Sequence, residues 1–142
     1  MKEGVLFVCI GNSCRSIMAE ALTRHHWGDA VRVSSAGTHP LGYITAYTLE
    51  VLGERAIPTG GLYSKGFSAI AFNQIQLIVS LTGDLFEHLV PQSFSGEIIR
   101  WYVRDPYGKG LRDFRQTLDS IEVLIKEKLP LWLGLNKDPG DA

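Results

Sequence analysis

The stretch VLFVCIGNSCRSIMAEALTRHHW, residues 5–27, joins two different periodicities across one short loop. Val5 to Cys9 is a continuous apolar run, the pattern of a strand buried on both faces. From about Ser13 to Trp27 the pattern is helical, with Met18, Ala21 and Leu22 spaced to form an inner face. Between them, CIGNSCRS (9–16) gathers both cysteines of the chain with a glycine, an asparagine, two serines and an arginine. A turn from strand to helix points its backbone N–H groups inward. The first helical turn adds unpaired N–H groups and the positive end of the helix dipole. That combination is a cradle for an anion.

The residue types suit the cradle. The backbone of Ile10, Gly11, Asn12, Ser13 and Cys14 would wrap the anion. Gly11 is expected to take angles that other residues resist, and Asn12 tolerates a left-handed conformation. Arg15 supplies a forked cation matched to two oxygens of a phosphate-like group. Cys9 then lies at the floor of a positive bowl. Helix termini and nearby cations lower a thiol pKa from ~8.5 to as little as ~3.5–7.5, so Cys9 is expected to lose its proton readily. Ser16 is placed to donate a hydrogen bond to the thiolate. The expected product is a nucleophile facing a tetrahedral oxyanion. An ATP-type phosphate loop is excluded, because no G-x-x-x-x-G-K-[ST] occurs. Cys14 has two readings. Either it pairs with Cys9 on oxidation, since a closed arc brings Cα atoms within the ~7 Å that a disulfide needs, or it is a small residue packed at the helix start.

Outward from this stretch, strands and helices alternate. Val31 to Ser35 reads as a strand, Ala46 to Arg55 as a short helix, and Ile57 to Lys65 as turns with Pro58, Gly60 and Gly61. Ser68 to Phe72 reads as one helical turn, Gln76 to Ser80 as a strand and Asp84 to Val90 as a short helix stopped before Pro91. Glu97 to Tyr102 reads as a fourth strand and Arg104 to Gly110 as a loop. Leu111 to about Leu133 reads as a long helix, with Phe114, Leu118, Ile121, Ile125 and Leu129 on one stripe. The expected fold is α/β: a small, doubly wound, four-stranded parallel sheet with helices on both faces. Ligands of such sheets bind beyond the carboxyl ends of the strands, which is where the 9–16 loop falls. One domain is expected over residues 1–133, followed by a flexible polar tail over 134–142.

Composition narrows the setting. Of 142 residues, 45% are apolar and 20% charged, the balance of an ordinary soluble domain. The net charge of −1 offers no general attraction to nucleic acid or to an anionic membrane, so neither is expected as a partner. The uncharged stretch Phe67 to Gly83 contains Asn73, Gln74 and Gln76 and makes a poor membrane span. Two cysteines in one loop suit a reducing cytoplasm better than a secreted disulfide framework. His25, His26, His39 and His88 have no metal-ligand spacing, and neither metal nor cofactor is expected.

The loop resembles the signature C-x-G-N-x-C-R-S of the low-molecular-weight phosphotyrosine phosphatase superfamily. That superfamily also holds bacterial protein-arginine phosphatases and one class of arsenate reductase. The similarity continues through MAEAL (18–22), SSAGT (34–38) and LIVSLTGD (77–84), and ends with Asp105-Pro106-Tyr107-Gly108 before the last helix. The resemblance implies a phosphatase I-like fold and a hydrolase for phosphorylated proteins. By it, Cys9 is phosphorylated and Arg15 holds the equatorial oxygens. Asp105 protonates the leaving group and then activates water. Ser16 stabilises the thiolate, Asn12 and Ser35 support the loop, and Tyr107 lines the pocket mouth. Ile17 replaces a proline common in the family, and Leu62 aligns roughly with a histidine of the loop network.

Within the superfamily the features divide. Ser13 is the residue common in the arsenate reductases, where tyrosine-directed members carry a larger aliphatic residue and arginine-directed ones a threonine. The thioredoxin-coupled reductases, however, carry cysteines near Thr82 and Leu89, and this chain has none there. The principal expectation is therefore a tyrosine- or arginine-directed phosphatase. The alternative is an arsenate reductase served by an external thiol of the glutathione or mycothiol type. A non-catalytic anion-binding module is a third reading, disfavoured by the intact Cys9, Arg15 and Asp105.

Overall fold

In strand β1 (Glu3–Cys9), every residue from Gly4 to Cys9 is buried, as the apolar run requires. The computed structural model describes residues 3–133; the proposed tail at 134–142 lies outside them. Helix α1 (Arg15–Trp27) follows, then β2 (Val31–Gly37), α2 (Ala46–Glu54), β3 (Leu77–Ser80), β4 (Glu97–Arg100) and α3 (Leu111–Leu133). The sheet order is β2-β1-β3-β4, and every pairing is parallel. The chain steps from β1 to β2 on one side and returns to β3 on the other. Strand order thus reverses at β1, and the 9–16 loop leaves from that strand's carboxyl end.

Alternation along the central strands separates two cores. Val5 and Phe7 of β1 and Leu77 and Val79 of β3 face the three α-helices, against Met18, Leu22, Phe114, Leu118, Ile121 and Ile125. Leu6, Val8 and Ile78 face the opposite way and pack with Ile75 and Phe86. Phe67, Ile70, Phe72 and Phe94 close that second core. Helices thus lie on both faces, but those on the second are single 3₁₀ turns at Phe67–Ala69, Phe72–Gln74 and Glu87–Leu89.

The differences from the sequence reading have local causes. The helix expected over 84–90 is only the Glu87–Leu89 turn. The Asp84 side chain accepts from the Phe86 N–H at 2.9 Å, and Phe86 takes φ +55° to bury its ring. A left-handed residue cannot propagate a right-handed helix. The helical turn expected over 68–72 is instead two 3₁₀ turns, separated so that Phe67, Ile70 and Phe72 can each reach the second core. Strand β4 ends at Arg100 rather than Tyr102, although Trp101 N–H still reaches Ser80 O and Val103 N–H reaches Leu81 O.

Candidate active site

Cys9 ends β1, and the chain curls through residues 10–14 before α1 starts at Arg15, two residues later than the periodicity suggests. Asn12 adopts φ +48°, as its residue type allows. Gly11 does not take a positive φ; its lack of a side chain relieves crowding instead. A Cβ there would lie 3.1 Å from the Leu41 side chain and 3.3 Å from Ser13 Oγ. The tightest approach to the loop is at Gly37, where a Cβ would lie 2.5 Å from Ile10 O and 2.8 Å from Asn12 N. SSAGT thus ends β2 on a glycine because the loop rests directly on its backbone.

A chain of polar contacts runs behind the loop. Asn12 Oδ1 accepts from the Lys65 backbone N–H at 2.8 Å, and a backbone N–H can only donate. The Asn12 amide is therefore fixed, and its Nδ2 donates to Ser16 Oγ at 2.7 Å and to Ser35 Oγ at 3.0 Å. Ser16 is left to turn its own proton toward Cys9 Sγ, 2.9 Å away. Ser35 donates to Glu20 Oε1 at 2.5 Å, and the Lys65 ammonium stands 3.5 Å from the same oxygen. Every group in this chain is matched to a partner of the right sign, as buried polar networks require.

Arg15 is 5% exposed, and its side chain is held rather than free. One guanidinium nitrogen donates to Leu81 O at 3.2 Å and Val103 O at 3.0 Å, beyond the ends of β3 and β4. The other lies 3.6 Å from Asp105 Oδ2. Asp105 Oδ1 accepts from the Tyr107 N–H at 3.0 Å, which orients the carboxylate. Cys9, Ile10, Gly11, Ser13, Cys14, Arg15, Asp105 and Tyr107 line one cavity of about 230 Å³. A larger cavity of about 320 Å³ lies against Asp113, Gln116 and Thr117 of α3, with Asp105 in its wall too, but neither thiol lines it.

Both thiols are free, and they differ in surroundings. Burial pushes the Cys14 thiol up, against the opposing effect of hydrogen bonds from Thr45, Ser13 and Thr48. Cys14 Sγ lies 3.5 Å from Thr45 Oγ1 and 3.6 Å from Ser13 Oγ. The thiol at position 14 is therefore held in its protonated form at neutral pH.

Several contributors escaped the sequence reading. Glu20 and Lys65 complete the network behind the loop, and His39 and Leu41 line the cavity. Glu20 had one visible signal, a carboxylate amid the apolar residues of MAEAL and one helical turn from Ser16. Leu62 packs partly buried against the main core, and Ser64 and Lys65 contact the loop.

A buried, hydrogen-bonded thiol, a held guanidinium and a carboxylate that line one cavity are suited to attack on a bound oxyanion. Residues 4–138 match the family model described as low molecular weight phosphotyrosine protein phosphatase. The chain belongs to this family. Among its relatives is arsenate reductase 2 of Staphylococcus saprophyticus, 32% identical over 128 residues, which span 89% of this chain and 95% of that one. Among solved structures, an arsenate reductase in its phosphate-binding state is similar with a TM-score of 0.78 and 26% identity, covering 92% of this chain and 98% of that one. The arginine phosphatase of Geobacillus stearothermophilus is similar with a TM-score of 0.75 and 26% identity, covering 92% and 94%. The fold and the family are thus common to phosphatases and arsenate reductases.

Proposed function

We propose that this chain hydrolyses phosphorylated protein side chains, tyrosine- or arginine-linked, through a phosphocysteine on Cys9. The observation that carries the reading is that Cys9 and Asp105 line one cavity, with the Arg15 guanidinium 3.6 Å from the acid. The Cys9 thiolate attacks phosphorus, an S–P bond forms and the bond to the leaving oxygen or nitrogen breaks. Asp105 gives that leaving atom its proton. Arg15 and the backbone N–H groups of residues 10–14 hold the equatorial oxygens, where charge is greatest in the transition state. Water then attacks the phosphocysteine, Asp105 takes its proton, and the thiolate leaves with the Ser16 hydroxyl to receive its charge. Tyr107 walls the mouth beside the substrate's side chain. The step needs neither metal nor cofactor, and the two free thiols suit a cytoplasmic enzyme.

A second reading is arsenate reduction, favoured by Ser13 and by the named activity of the relatives. Cys9 would bond to arsenic with loss of water, and two thiols of glutathione or mycothiol type would supply the electrons, ending as a disulfide. An internal three-cysteine relay is excluded, because Cys9 and Cys14 are the only cysteines in these 142 residues. A parallel assay on phosphotyrosine, phosphoarginine and arsenate with several thiol donors separates the readings. Hydrolysis of an ester or phosphoramidate is expected. Arsenate reduction by a small thiol, with no hydrolysis, would give the assignment to the reductases.

A further inference from the structure

Segment 105–109 carries the carboxylate, yet little ties it down. Among the described residues it makes two polar contacts to the rest of the chain. One is Asp105 with Arg15 at 3.6 Å, and the other is Tyr107 OH with Tyr43 OH at 2.9 Å. Its remaining hydrogen bonds are internal, from Tyr107 N–H to Asp105 and from Lys109 N–H to Pro106. The Arg15 contact is the one that a bound oxyanion competes for. Pro106 is buried and anchors the backbone of the segment, which leaves the tyrosine pair as the polar tie that sets the acid over the site.

Tyr43 is well placed to be the fixed partner. It lies on the β2–α2 connection, which is fastened along the phosphate loop by four backbone hydrogen bonds. Thr38, His39, Leu41 and Thr45 N–H groups donate to Cys9, Ile10, Gly11 and Ser13 carbonyls, at 2.8–3.2 Å. Gly42, at φ +84°, turns the chain just before Tyr43, and its N–H meets Ser64 Oγ, which in turn donates to Gly11 O. The Tyr43 hydroxyl therefore moves with the loop that holds the nucleophile.

We propose that Tyr43 is a positioning residue for the general acid, its hydroxyl fixing Tyr107 and, through the Tyr107 N–H, the Asp105 carboxylate relative to Cys9. This rests on the hydrolase reading. Tyr43 touches no reacting atom; it acts through Asp105. Tyr43→Phe removes one exposed hydroxyl and is expected to leave the melting temperature unchanged.

The test is kcat for Tyr43→Phe across aryl phosphates of increasing leaving-group pKa. Losing one hydrogen bond should cost about 2- to 10-fold with poor leaving groups. It should cost almost nothing with good ones, which need little protonation, and KM should hold. In an Asp105→Asn background the same substitution should cost nothing, because residues acting through one another are not additive. An equal loss across leaving groups, a loss that persists beside Asp105→Asn, or no loss with any substrate would each overturn the role of Tyr43. A wild-type chain that hydrolyses no aryl phosphate would overturn the hydrolase reading and this role together.

Discussion

A carboxamide at position 105 keeps the shape of the side chain and removes the proton that the proposed mechanism has it donate. Asp105→Asn should therefore slow hydrolysis by roughly 10²–10⁴, the usual worth of general acid–base catalysis. The loss should shrink as the leaving group improves. A uniform loss in steady-state assays would mean that the residue shapes the loop and transfers no proton. The two cysteines make a second contrast at this scale. Both are buried and line the cavity, but the Cys14 thiol is pushed up by its burial, whereas the Cys9 thiol meets the Ser16 hydroxyl at 2.9 Å. Brief iodoacetamide treatment at neutral pH, followed by peptide mass mapping, should label Cys9 first. Earlier labelling of Cys14 would reverse the assignment of the nucleophile.

At the scale of the element, the 9–16 loop is held by backbone as much as by side chains. Gly37→Ala would drive a methyl group into Ile10 O and Asn12 N, atoms that cannot swing aside. The expected cost is about 1–3 kcal/mol of stability, as for other overpacked sites, with a loss of activity because the loop itself must shift. Gly53→Ala is the control. It lies in α2 with nothing within 4 Å of the added carbon, and should stabilise by about 0.5–1 kcal/mol. Chemical denaturation of both variants checks the pair; equal effects would deny the close approach at Gly37. The loop was legible in the sequence because its chemistry is local. Cys9, Asn12, Arg15 and Ser16 lie within eight residues, between a strand run and a helical stripe. Its supports were not. Lys65 meets Asn12 from 53 positions away, and Tyr43 meets Tyr107 from 64, distances over which no periodicity carries information. The role of Gly11 was misjudged for the same reason. The crowding comes from Leu41, which only folding brings near. The short helix expected over 84–90 failed on one side-chain bond and one left-handed residue, details too small to alter a hydrophobic pattern.

Across the whole molecule, the strand–helix alternation was enough to expect a four-stranded parallel sheet, and the observed order places both the 9–16 loop and the 105–109 segment beyond its carboxyl edge. Far from that edge, a polar clamp joins the three α-helices. His26 Nε2 lies 2.7 Å from Glu122, Arg55 donates to Glu122 at 3.0 Å and pairs with Asp119, and Arg115 of α3 pairs with Glu54 of α2. Burial works to raise the Glu122 carboxyl. The His26 hydrogen bond and the charges of Lys126, His26 and Arg55 outweigh it, so its pKa falls below the ordinary value of 4.5. A carboxyl whose folded pKa is depressed adds stability above its unfolded value and loses it as pH falls through the folded one. Wild type should therefore weaken below about pH 4.5 more steeply than Glu122→Gln, which should cost about 0.5–1 kcal/mol at pH 7. Urea midpoints at pH 7 and pH 4 measure this. Parallel pH dependence in the two proteins would remove Glu122 as a source of stability.

The central claim is that phosphate passes through Cys9, and an acid-quenched turnover reaction tests it most directly. Wild-type protein is mixed with excess p-nitrophenyl phosphate, stopped in acid within the first turnovers, digested and mapped by mass spectrometry. The expected result is phosphate on the peptide holding Cys9, and none on that peptide in Cys9→Ser, which should keep its fold and its affinity for phosphate but lose turnover. Steady hydrolysis by wild type with Cys9 never phosphorylated, or hydrolysis by Cys9→Ser near the wild-type rate, would contradict it.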